Sequence, residues 1–201
     1  MSIEPECYPD TNVYVNLLDI SDRKTLDEVE RGITILNAQR LEQNSGRIFD
    51  LGAEVDFSLA HLKAIHKYLF QEIFEWAGEL RSFDLRKGID IFCPHTEIDY
   101  YAEEIRKEIV SDNYLHNVED EFVPKKLARY IGLLNKLHPF PDGNGRSQRI
   151  FVSHLAKQAG FQINWSTVSP HENAYTHQAA HRNNNYSGLE QVMQRIVSKA
   201  E

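Results

Sequence analysis

With 201 residues, 41% of them hydrophobic and 26% charged, the chain has the make-up of an ordinary folded domain that can bury a core without disulfides or structural metals. Its formal net charge of −8 argues against a general binder of nucleic acid or of anionic membrane, because phosphate contacts need clustered Lys and Arg. No run reaches the roughly 20 apolar residues that span a bilayer. The start, Met1 to Pro9, lacks the basic and apolar regions of a signal peptide, and Cys7 and Cys93 stand far apart. A cytoplasmic protein with reduced thiols is the expectation.

Residues 1–20 hold Pro5, Pro9 and Asn12 without a sustained period and read as an extended arm. Ser21 to Thr25 supplies cap residues for a helix with apolar positions Leu26, Val29, Ile33, Leu36 and Leu41, which Asn44-Ser-Gly46 interrupts or ends. Between Phe57 and Trp76, Leu59, Leu62, Ile65, Leu69, Ile73 and Phe74 recur at spacings of three and four. They predict a second helix, stopped by Ala77-Gly78. Two β-prone runs, Arg81 to Leu85 and Ile89 to Phe92, flank a turn containing Gly88 and predict a hairpin closed by Pro94. Helical spacing returns over 97–111 and over 123–137, the latter with Leu127, Tyr130, Ile131 and Leu134 inward. A loop over 138–145 leads into a helix over 146–159 that ends at Gly160. Two more helices are expected over 170–182 and 187–199. The organisation predicted is an N-terminal arm and helix over 1–50, then a mainly α domain over 51–201, the whole forming a single globular unit.

The chemistry concentrates in His138-Pro-Phe-Pro-Asp-Gly-Asn-Gly-Arg-Ser-Gln-Arg149. Asp142-Gly-Asn-Gly145 is a glycine-rich turn that runs straight into an amphipathic helix. Such a turn presents unpaired backbone N–H groups at the positive end of a helix dipole, which binds phosphate. Arg146 and Arg149 are three apart, so they share a face of the first turn. A carboxylate beside polyphosphate, here Asp142, makes most sense as a Mg²⁺ ligand. An imidazole, here His138, takes a proton from an attacking hydroxyl near neutral pH. Phe140, apolar in a polar loop, should face inward. A base, a metal ligand, an anion cradle and two cations describe transfer from a nucleoside triphosphate to a protein hydroxyl.

This segment resembles the full signature of the Fic-domain proteins, His-Pro-Phe-x-[Asp/Glu]-Gly-Asn-Gly-Arg-x-x-Arg, and meets every fixed position. The likeness continues upstream through Phe70 to Gly78, Arg81, and Lys87-Gly88 to Pro94. It implies the Fic fold, a mainly α bundle with a short β-hairpin flap beside the active-site loop. It further implies that His138 deprotonates a target hydroxyl, which attacks the α-phosphorus of ATP. Asp142 would hold Mg²⁺. Gly143, Asn144 and Gly145 would form the anion hole, Asn144 adding its side-chain amide, with Arg146 and Arg149 on the β- and γ-phosphates. The flap, with Phe83, Asp84, Leu85, Lys87, Gly88, Ile89 and Ile91, would align an extended segment of the target protein by backbone pairing.

Glycine at both 143 and 145 favours AMP transfer over the Doc-like relatives, which move the γ-phosphate and carry Lys at the second glycine. A Doc-like protein kinase and a catalytically silent peptide-binding module stand as the alternatives. Many Fic proteins carry an inhibitory [Ser/Thr]-x-x-x-Glu-[Gly/Asn] helix. Of the Ser and Thr residues only Ser2 precedes a Glu by four, and Cys7 follows it. The resemblance therefore implies a toxin restrained by a separate small antitoxin that supplies the Glu. Short toxins of this type modify a tyrosine of DNA gyrase and topoisomerase IV, which makes these the expected targets. Elsewhere, His61 and His66 read as structural. His171, His177 and His181 read as surface or nucleotide-pocket residues rather than metal ligands, and a residue within 183–187 is expected near the base.

Overall fold

The computed structural model describes residues 2–43 and 55–200, so Asn44-Ser-Gly46 lies outside the described residues. Helices dominate, as the periodicity predicts, and the chain divides into two compact units. The first comprises Met1–Phe83 with Pro139–Ser147, the second Asp84–His138 with Gln148–Glu201.

In the first unit β1 (Ser2–Ile3) pairs in parallel with β2 (Leu80–Arg81). The arm between β1 and α1 (Arg23–Gln43) is turned rather than extended. Tyr8 donates its N–H to the Val13 carbonyl, Val15 does so to Glu6, and the Asn16 side chain closes the following turn on Leu18 and Ile20. Val13 is buried there and Tyr14 meets the Trp76 ring edge-on. α1 exists as predicted, but its inner face is not the apolar stripe. The buried positions are Leu26, Glu30, Thr34, Asn37 and Leu41, whereas Val29 and Leu36 are exposed. The reason is polar work at the contact. Asn37 donates to the Tyr68 and Leu69 carbonyls and to Glu72, satisfying carbonyls near the end of α2 (Leu59–Phe70).

α2 starts where Ser58 accepts the His61 N–H and ends at Phe70, six residues before the predicted Trp76. Short turns then fold Phe74 and Trp76 back onto it, with stacked rings at 4.4 Å. Gly78 lets the chain pass close to the helix: its φ is +86°, and a Cβ would stand 2.8 Å from that of Lys67.

In the second unit the hairpin is shorter and later than predicted. β3 (Arg86–Lys87) pairs antiparallel with β4 (Asp90–Ile91), and Arg81 belongs instead to β2. After the hairpin come α3 (Ile98–Ser111) and α4 (Val123–Leu137), the latter with Pro in its first turn and Leu127, Tyr130, Ile131 and Leu134 buried as expected. The Tyr130 hydroxyl, buried between the two helices, donates to Asp112. α5 (Asn144–Gln158) begins two residues ahead of expectation. The C-terminal 187–199 is not all helix. α6 (Pro170–Asn183) and α7 (Ser187–Ile196) are followed by β6 (Val197–Lys199), which pairs antiparallel with β5 (Phe161–Ile163). That pairing satisfies backbone groups of Val197–Lys199. α7 packs Leu189, Val192, Met193 and Ile196 against the bundle. Among the described residues no helix is long and apolar enough to cross a membrane.

Candidate active site

The signature is divided between the units: residues 139–147 belong to the first, His138 and Arg149 to the second. In the first unit the loop is held from below by rings. Phe140 is fully buried and stacks on His66 at 3.9 Å, with Phe70 on the same histidine at 4.7 Å. His66 accepts the Gly78 N–H at Nδ1 (2.8 Å), which leaves the proton on Nε2, 3.0 Å from the Asp142 carbonyl. Burial drives its pKa down to about 3, so it is a neutral donor. The backbone of Arg81 adds a hydrogen bond to the Pro139 carbonyl (3.0 Å).

Asn144 is buried and bonds Phe140 twice, accepting its N–H (3.0 Å) and donating to its carbonyl (2.8 Å). The side chain thus closes the loop with its oxygen and one amide N–H, and Asn144 also brings its backbone N–H to the helix start. Gly143 has φ +74°, and a Cβ there would meet the Phe70 ring at 2.5 Å. Gly145 differs: a Cβ would find nothing within 4 Å. Asp142 accepts the Gly143 N–H at Oδ1 (2.7 Å). Arg146 lies over the Phe70 ring at 4.6 Å and pairs with Glu30, whose carboxyl is pushed up by burial and pulled back in part by that guanidinium.

In the second unit His138 caps α4 in the left-handed conformation, φ 43°, its N–H bonded to the Leu134 carbonyl. The same carbonyl takes an N–H from the buried Gln148 side chain at 3.0 Å. The imidazole stacks on Phe92 at 3.9 Å, and Nδ1 faces the Asn135 carbonyl at 3.1 Å. That contact puts the proton on Nδ1 and the lone pair on Nε2. The hairpin is moored around it. Cys93 donates to the Lys136 carbonyl (3.0 Å), and Arg182 on α6 grips Asp90 with two N–H groups, holding that carboxyl below its usual range. The expected flap residues Lys87, Gly88, Ile89 and Ile91 lie on or beside the two strands and are exposed. Leu85 adds one rung by accepting the Phe92 N–H, and Asp84 is turned to His95. Phe83, outside the hairpin in the first unit, accepts from the buried Arg81 guanidinium.

Residues 56–156 match the Fic/DOC family. The chain is also 31% identical over 197 residues to the probable protein adenylyltransferase Fic of Escherichia coli, covering 98% of this chain and 94% of that one. The chain belongs to the Fic/DOC family. It is 35% identical over 171 residues to the protein adenylyltransferase VbhT of Bartonella schoenbuchensis, where the match covers 85% of this chain but 34% of the longer protein. The Fic fold itself is seen in the BepC protein of Bartonella tribocorum, solved with bound AMPPNP, at a TM-score of 0.88 and 21% identity over 97% of each chain.

Within this Fic chain two supports of the signature escape the motif. His66, read from sequence as merely structural, donates to the loop carbonyl of Asp142. Glu30 and Thr34 meet Arg146 from α1. Their signal was present as polar residues spaced four apart between Leu26 and Leu41 on one helical face. On α6, burial and then the charge of Arg149 hold the His177 pKa down to about 4. His181 tilts against Phe92 at 5.0 Å. Among the described residues no three His, Cys, Asp or Glu side chains converge as a metal site, His171, His177 and His181 included.

Proposed function

We propose that this protein transfers AMP from ATP to a hydroxyl of another protein. The observation that carries the reading is the tautomer of His138, with Nδ1 turned to the Asn135 carbonyl and the lone pair on Nε2. The target hydroxyl gives its proton to that lone pair as its oxygen bonds to the α-phosphorus. The bond from the α-phosphorus to the bridging oxygen breaks, and pyrophosphate leaves. The backbone N–H groups of Asn144 and Gly145 and the two arginines take the phosphate charge, the Gly143 N–H being bonded to Asp142. The space beside Gly145 is room for a phosphate at the helix start. Asp142 is a lone hard carboxylate, and one carboxylate with substrate phosphate oxygens suits Mg²⁺, which would neutralise charge on the leaving pyrophosphate. The names of the relatives, protein adenylyltransferases at 31% and 35% identity, support the same reaction.

The finer reading is that the hydroxyl is a tyrosine of DNA gyrase or topoisomerase IV. The protein would act as a toxin in the cytoplasm, held in check by a separate antitoxin. The exposed edge of the hairpin suits backbone pairing with a target segment.

The test incubates the protein and His138→Ala with bacterial lysate, Mg²⁺ and ATP labelled at the α- or the γ-phosphate. Label from α-ATP alone, lost in the variant, is expected, and the labelled band identifies the target. Label from γ-ATP would make the protein a Doc-like kinase, and none from either would point to another nucleotide donor, a missing target or a peptide-binding module.

A further inference from the structure

Arginine has a long, rotamer-rich side chain, and its usefulness to a phosphate depends on where its five N–H donors point. Arg146 is unusual in how completely one side of its guanidinium is taken by its own unit. Nη2 bonds the carboxylate of the buried Glu30, and Nη1 reaches the Thr34 hydroxyl at 3.4 Å. The Thr34 proton is already committed to the Glu30 carbonyl at 2.8 Å, so its oxygen faces the arginine as an acceptor. The Phe70 ring covers one face of the guanidinium at 4.6 Å. The Arg146 side chain nonetheless keeps 29% of its surface open, against 8% for Glu30. α1 is itself fixed to α2 through Asn37, so the carboxylate is a rigid anchor and not a wandering surface partner.

We propose that Glu30 is a positioning residue that, with Thr34 and Phe70, pins one edge and one face of Arg146 so that its remaining N–H groups are aimed at nucleotide phosphate. This rests on the reading that Arg146 binds phosphate beyond the α position. A buried carboxylate with no other purpose would be replaceable by an apolar side chain. Here it orders one of the two α5 arginines that a polyphosphate must find already in place.

The test compares the full chain with Glu30→Ala, Glu30→Gln, Arg146→Ala and the double variant Glu30→Ala/Arg146→Ala. Calorimetry reads the binding of ATP and of AMP, and the transfer assay reads KM and kcat. Glu30→Ala is expected to raise KM and Kd for ATP about tenfold while the Kd for AMP, which lacks the outer phosphates, stays within about twofold. Glu30→Gln keeps an acceptor oxygen and should lose no more than about threefold. The double variant should bind ATP no more weakly than Arg146→Ala alone. Equal weakening for ATP and AMP, or losses that add in the double variant, would overturn the proposal in favour of a structural pair. Tighter ATP binding by Glu30→Ala would overturn it by making Glu30 a competitor of the phosphate. Unchanged ATP binding by Arg146→Ala would overturn the underlying role of Arg146 itself, a result separable from the others because it appears without any change at Glu30.

Discussion

Gly143 and Gly145 stand two residues apart and are glycines for different reasons. At 143 the fold demands it, through a positive φ and the Phe70 ring 2.5 Å from where a Cβ would stand. At 145 the fold has open space, and the helix would accept alanine. Gly143→Ala should therefore cost about 3 kcal/mol and several degrees of Tm. Gly145→Ala should leave Tm level or slightly raised, yet lower AMP transfer by on the order of tenfold by filling a phosphate approach. Equal loss of stability in both variants would show that the loop needs both glycines for folding. His138 carries a similar conflict, an imidazole where helix ends favour glycine or asparagine. His138→Asn and His138→Ala should both abolish transfer. The Asn variant should melt above the Ala variant by about 1–3 °C, because asparagine tolerates the left-handed conformation.

Elements were legible wherever one pattern ruled their whole length. α4 declared its inner face because Leu127, Tyr130, Ile131 and Leu134 bury against neighbours in the same unit. α1 did not. Its apolar count points to Val29 and Leu36, while Glu30, Thr34 and Asn37 face inward because they bond Arg146 and the end of α2. The hairpin has two residues in each strand, too few to hold itself, and depends on the grip of Arg182 on Asp90. Arg182→Ala should speed amide exchange across 84–92, read by mass spectrometry, and raise KM for the protein target more than KM for ATP. Unchanged exchange would mean that the pairing with Cys93 and Phe92 suffices.

At the scale of the molecule, stability should depend on buried neutral histidines. Burial holds the His66 pKa down to about 3 and that of His154 to about 4, against about 6.5 in an unfolded chain. Below pH 6.5 the unfolded chain takes protons that the folded one refuses. Stability should fall as pH drops from about 6.5 towards 4, by up to about 1.4 kcal/mol per pH unit for each histidine, and the full contribution is present above that window. Urea unfolding at pH 7, 6 and 5 measures the slope, and His66→Asn should flatten it by up to one histidine's share. A slope that His66→Asn leaves untouched would place the titration elsewhere.

By itself the sequence determined the mainly α Fic fold, the family, and the run from His138 to Arg149 that marks it, because those are local: a helix period, a glycine turn and an unbroken signature are written in neighbouring positions. The tertiary structure alone decided which face of α1 turns inward, that α2 stops at Phe70, and that Val197–Lys199 leaves the helix for β5. It also decided that His66 carries the Asp142 carbonyl and that the Asn144 side chain closes the loop on Phe140. Each of these depends on a partner to which neighbouring sequence gives no pointer, and a buried polar group goes where its hydrogen bond is, whatever the hydrophobic period says.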